Sequence, residues 1–152
     1  MTSKIKQPIS LKDNIHTILY GSKDEKEKLK GQYFHIADTP EFMKEKGLIG
    51  EFFSVRYGII SRHKNKDEDH NLSGQNWVDI CKKITDPFAI IKNGCTYRLF
   101  TDVKINNRNI VVCVGVKNIG KALDVNAVTT AFGYRDRLIT GEILYRSKKN
   151  NP

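Results

Sequence analysis

Asp69-His70-Asn71-Leu72-Ser73 runs directly into Gly74-Gln75-Asn76-Trp77-Val78-Asp79-Ile80-Cys81-Lys82-Lys83-Ile84, and the rest of the chain can be placed relative to this stretch. Ser73 is a suitable N-cap, and Trp77, Ile80, Cys81 and Ile84 follow at the i, i+3, i+4, i+7 spacing of a helix that buries one face. His70 therefore stands just before a helix N-terminus, where backbone N–H groups and the macrodipole favour anions such as phosphate. A histidine in a polar loop also has a purely structural reading, so its weight depends on what surrounds it.

Working outward, residues 61–70, Ser-Arg-His-Lys-Asn-Lys-Asp-Glu-Asp-His, are densely charged and read as a solvated loop. His63, Asp67, Asp69 and His70 are metal-type donors, but their spacing matches neither H-E-x-x-H nor an EF-hand loop. No metal or other cofactor is expected. Upstream, residues 1–30 are polar and Lys-rich and read as a leader or linker with one peripheral helix, leaving 31–152 as the domain. A first core element is expected at Tyr33–Ala37. Thr39-Pro40-Glu41 then opens a short helix over about 40–46, which Gly47 stops, and Leu48–Ile60 reads as a strand.

Downstream of the helix, Asp86-Pro87 ends it, because the residue before proline is pushed out of helical backbone. Strands are expected at Phe88–Ile91, Thr96–Lys104, Ile110–Val116, Val125–Phe132 and Glu142–Ser147. The second of these alternates, with Tyr97, Leu99, Thr101 and Val103 on one face and Arg98, Phe100 and Asp102 on the other. The expected architecture is α+β, with N-terminal helices packed on a mostly antiparallel sheet of four or five strands.

Composition bounds the function. A chain of 152 residues can bury a core without staples. Three cysteines, Cys81, Cys95 and Cys113, have no ligand-type spacing and read as buried thiols in a reducing, cytoplasmic compartment. No apolar run approaches the roughly 20 residues of a membrane span, so no membrane partner is expected. With 26 Lys and Arg against 17 Asp and Glu, the net charge is +9 and the pI about 9.5, which favours a polyanionic partner. A P-loop, a dinucleotide fingerprint and a G-x-S-x-G elbow are all absent, which argues against nucleotide-driven and serine-hydrolase chemistry.

Several short pieces, in order, resemble a known family. They are Asp38-Thr39-Pro40 with Gly47-Leu48, the His70–Ser73 motif, Asp86-Pro87-Phe88-Ala89-Ile90, the hairpin from Tyr97 to Val116, Val125–Gly133, and Ile143-Leu144-Tyr145-Arg146-Ser147-Lys148. Together, from about Ile36 to Lys149, they resemble the phage-associated branch of the barnase, EndoU, colicin and RelE (BECR) nuclease superfamily, a domain found at the C-terminus of Mu-type phage head-morphogenesis proteins and in related toxins. The resemblance implies two N-terminal helices on a four-stranded antiparallel sheet, and a metal-independent ribonuclease, often a toxin. It maps the family histidine onto His70, the Ser/Thr of the penultimate strand onto Thr130 and the basic residue of the final strand onto Arg146. Family members often carry a tyrosine two residues beyond the Ser/Thr; here that position is Phe132, with Tyr134 two further on.

The residue types suit RNA cleavage without a metal. That reaction needs a base for the 2'-OH, an acid for the leaving 5' oxygen, and cations around the phosphorane. An imidazole, with an ordinary pKa of about 6.5, serves as base or acid. Arg98 and Arg146 offer planar phosphate donors, and Thr130 a hydroxyl. Tyr97 and Tyr134 are candidates to stack on a base or donate a proton, and Arg135, Arg137 and Lys148 to hold the substrate backbone. Each has a plainer reading as a β-former, a core ring or a solvated charge. The expected function is an endoribonuclease toxin producing a 2',3'-cyclic phosphate, acting on RNA in a cytoplasm after synthesis there or delivery by a phage particle. An acidic immunity or antitoxin protein is the expected inhibitor on electrostatic grounds. The alternatives are a noncatalytic nucleic-acid-binding module and a phage structural or interaction domain.

Overall fold

The computed structural model of the protein describes residues 9–63, 70–120, 123–135 and 141–147. In chain order the elements are β1 (Ile9–Ser10), α1 (Leu11–Tyr20), α2 (Lys23–Leu29), β2 (Tyr33–Asp38), α3 (Glu41–Glu45), β3 (Phe52–Arg56), α4 (Tyr57–His63), α5 (Gly74–Lys83), β4 (Ala89–Asn93), β5 (Thr96–Ile105), β6 (Arg108–Gly120), β7 (Leu123–Gly133) and β8 (Glu142–Arg146). The α+β class holds. The sheet, however, has eight strands in the order β1-β2-β3-β7-β6-β5-β4-β8, against the four or five expected. It is also mixed: β1 pairs with β2 and β3 with β7 in parallel, while the other neighbours are antiparallel.

The central hairpin follows from local chemistry. Asn106 and Asn107 both adopt positive φ, 50° and 64°, the two-residue turn whose twist matches the flanking strands of β5 and β6. In β6, Ile110, Val112 and Val114 face the helices, while Val111 and Cys113 face the other way; all five are buried. α5 has the expected amphipathic face, with Trp77, Ile80 and Ile84 all fully buried against α1 and β5. Its start is a reciprocal cap: Ser73 Oγ accepts from Asn76 N at 3.1 Å, and Asn76 Oδ1 accepts from Ser73 N at 2.9 Å.

Three readings of the sequence need correction. Residues 9–20 are part of the domain rather than a leader, because Leu11, Ile15, Ile18 and Leu19 of α1 belong to the main core and β1 extends the sheet. Leu48–Ile60 is not one strand. Phe52–Arg56 is extended, and after it Tyr57 and Ile60 fall at helical spacing, with Ile60 buried in the core from α4. Of the three cysteines, Cys81 is half-buried and Cys113 buried, but Cys95 is exposed in the turn between β4 and β5.

Candidate nucleic-acid interface

Directly opposed residues in antiparallel strands share a face, so the register shows what the face away from the helices carries. One row across it is Ile143, Ile91, Arg98, Cys113 and Thr130, from β8, β4, β5, β6 and β7. The next row, in the same strand order, is Arg146, Ala89, Phe100, Val111 and Phe132. Phe100, Val111 and Cys113 form a small second core, against which Phe88, Ala89, Ile91, Phe132 and Tyr134 pack half-buried.

β7 presents Thr130 on this face only because of a bulge. Val114 opposes Val128 and Cys113 opposes Thr130, which leaves Thr129 as an extra residue in β7. Val128 and Ala131 consequently both point into the main core, three residues apart, and Thr130 and Phe132 point outward. In an uninterrupted strand Thr130 would follow Val128 inward. Thr129 Oγ1 donates to Cys113 O at 3.3 Å, holding the bulge to β6.

His70 reaches the same face from the loop before α5. Its ring lies 5.5 Å from that of Phe132, centroid to centroid. Its carbonyl accepts from Leu72 N at 2.9 Å, and Leu72 is buried in the main core. Asn76 Nδ2 donates to Lys104 O at 3.1 Å, so the cap that fixes the loop is itself tied to the end of β5.

Arg98 is half-buried, and among the described residues its buried Nε has no hydrogen-bond partner. Its guanidinium lies against the Cys113 thiol. Burial pushes that thiol up from its ordinary range, and the Arg98 charge opposes the shift. Tyr134 meets Phe100 edge-on at 5.5 Å, and its N–H donates to Asn109 O at 2.7 Å. Arg135 is half-buried beside it, and Arg146 is exposed near the end of β8.

His70, Arg98, Thr130, Tyr134 and Arg146 are thus brought to one sheet face. Tyr97 is not. It opposes Val114 in the main core, is 7 % exposed, and stands under Gly47 with Lys92 Nζ 5.5 Å from its ring. A base-stacking role for Tyr97 is therefore replaced by a core role, as alternation with Arg98 requires. Arg137 and Lys148 lie outside the described residues, as do Asp67, Asp69 and the His63 side chain. Among the described residues no group of three His, Cys, Asp or Glu side chains is placed to hold a metal.

The face has two ends. Strands lie roughly 4.8 Å apart, so Arg146, four strands from Phe132, stands about 19 Å from it along the sheet, while Arg98 stands about 10 Å from Thr130. Arg98 thus stands between the His70–Thr130 end of the face and the Arg146 end. Sequence reasoning missed the Thr129 bulge, the part of Asn76 in the cap, and the packing of Phe88 here. The Thr129-Thr130 doublet, which breaks the alternation of β7, was the available signal for the first.

In class this is an α+β domain in which, among the described residues, a histidine, arginines and aromatic rings share the sheet face turned away from the helices. Residues 61–151 match the family model of the phage MuF-C-terminal domain, and the chain belongs to that family. The match contains α5 and β4 to β8, hence the whole of this face. No curated protein and no solved structure matches the chain.

Proposed function

We propose that this phage MuF-C-terminal domain is a metal-independent endoribonuclease of the BECR kind, acting as a toxin. The observation that supports it most is the convergence of His70, Thr130 and Arg98 from three separate elements onto one sheet face, with the Thr129 bulge turning Thr130 toward it. In this reading His70 takes the 2'-OH proton. The freed O2' attacks phosphorus, the P–O5' bond breaks, and the O5' leaving group is protonated by Tyr134 or water. The products are a 2',3'-cyclic phosphate and a 5'-hydroxyl. Arg98 and the Thr130 hydroxyl bear on the nonbridging oxygens as charge builds on them, in a partly buried setting where such interactions are strengthened. Arg146 and Arg135 hold flanking phosphates, a change from the catalytic part that the resemblance gives to Arg146.

The direct test is an RNA oligonucleotide carrying one 2'-deoxy nucleotide at the cleaved position. Cleavage should stop at that position and continue at others, because the attacking oxygen is gone. Cleavage that ignores the substitution would rule this chemistry out. A second reading, binding without cleavage, is favoured by Phe132, which brings no proton to a position where the resembled family often has a tyrosine. It expects salt-sensitive RNA binding and intact RNA.

A further inference from the structure

We infer that this face takes its RNA single-stranded, laid across the strands from β8 to β7, with an unpaired base stacked on a shelf built from Tyr134, Phe100 and Phe88. The inference rests on the reading of this face as an RNA site and adds the substrate's form and the place of its base. The rings make a continuous edge: Phe88 lies 6.0 Å from Phe100, and Phe100 lies 5.5 Å from Tyr134, nearly perpendicular to it. Phe100 is 6 % exposed and forms the floor, while Phe88 and Tyr134 remain half-buried on top of it. Such half-wet rings on a basic face gain little from water or from a duplex exterior, whereas an unstacked base covers them face to face.

The spacing supports the same conclusion. Arg146 and the His70–Phe132 end are separated by the width of four strand intervals, about 19 Å. An extended single strand crosses this with its backbone near Arg146, Arg98 and Thr130 in turn, a footprint near the lower limit of about 4 nucleotides for one small binding fold. An A-form duplex fits poorly, because its deep groove is too narrow for side chains and its bases are paired and stacked.

The probe is a short RNA with 2-aminopurine at successive positions, whose fluorescence is quenched when the base stacks, titrated into full-length protein carrying His70→Ala so that the strand stays intact. Quenching at one position, and binding at least tenfold tighter than to the same sequence as a duplex, are expected. Tyr134→Leu keeps the bulk but removes the π face. It should abolish the quenching and weaken binding roughly 5- to 150-fold, while Tyr134→Phe retains both. Equal affinity for duplex and single strand, no quenching at any position, or Tyr134→Leu binding within twofold of its parent would each overturn the inference. Cleavage by the unsubstituted protein is scored separately. Quenching without cleavage sinks the nuclease reading alone, and cleavage without quenching sinks the shelf alone.

Discussion

Replacing Asn126 by alanine tests how β7 is locked in the phase that its outward residues need. Asn126 is fully buried, and its amide makes four hydrogen bonds to the segment between β2 and β3. Oδ1 accepts from Gly50 N at 3.0 Å, and Nδ2 donates to Thr39 Oγ1 at 2.9 Å and to the Leu48 and Gly50 carbonyls at 3.2 Å each. Gly50 backs directly onto β7, where a Cβ would run into the backbone nitrogen of Asn126. Alanine leaves the Gly50 N–H without an acceptor and deprives two carbonyls and a hydroxyl of a donor. At about 1–3 kcal/mol for each buried group left unsatisfied, with the carbonyls partly compensated, the loss is roughly 3–5 kcal/mol. That is a large part of a typical domain's stability of about 5–15 kcal/mol. Thr39→Val removes only one acceptor of the same amide and should cost about 1 kcal/mol. The double variant should cost less than the sum, because the second change no longer breaks a bond. Urea unfolding followed by Trp77, the single tryptophan and fully buried, reads all three. An Asn126→Ala loss below 1 kcal/mol at an unchanged m value would refute the clasp.

Four further outcomes rest on contacts elsewhere in the fold. Deleting Thr129 should turn the bulge into a regular ladder, with Val128 still paired to Val114 and facing the core and Thr130 still paired to Cys113 and facing outward, so cooperative unfolding should survive, and Thr129→Ala should cost no more than about 1 kcal/mol; a thermal melt checks both. Ser73→Ala should cost about 1 kcal/mol in denaturant unfolding through loss of the cap, and should lower RNA cleavage by more than that, because the same cap fixes the loop carrying His70. Cys95 should react with a disulfide reagent at pH 8 ahead of Cys81 and Cys113: burial pushes the Cys81 thiol up to about 11 and raises that of Cys113, holding both protonated, while Cys95 is exposed. The same shift sets a pH dependence. Below about 9.0 the thiols are protonated in both states, and from there toward about 11 the unfolded chain releases protons that the folded chain keeps. The urea midpoint should therefore fall between pH 8 and pH 10, and fall less in Cys81→Ala.

What the sequence made legible was local. The period of α5, the Asn106-Asn107 hairpin and the alternation of β5 all depend on neighbours within a few residues, and Arg98 was placed opposite Tyr97 on that basis alone. The parallel pairing of β3 with β7 was not legible, because Phe53 and Asn126 meet across more than half the domain and neither strand's pattern names its partner. Without that pairing the N-terminal strands had no sheet to join, which is why the strand count came out low. α1 looked peripheral because its flanks are polar, yet Leu11, Ile15, Ile18 and Leu19 form an unbroken buried stripe. For the site, residue types pointed to His70, Arg98, Thr130 and Arg146, but only register shows that a bulge aims Thr130 outward and that Arg146 stands several strands from His70.

Whether this face cleaves RNA without a metal is decided by incubating total RNA with the purified chain in EDTA beside its His70→Ala variant and analysing the product ends. Fragments ending in 2',3'-cyclic phosphate are expected with the unsubstituted chain and intact RNA with the variant. Intact RNA with both, or equal cleavage by both, would contradict this reading.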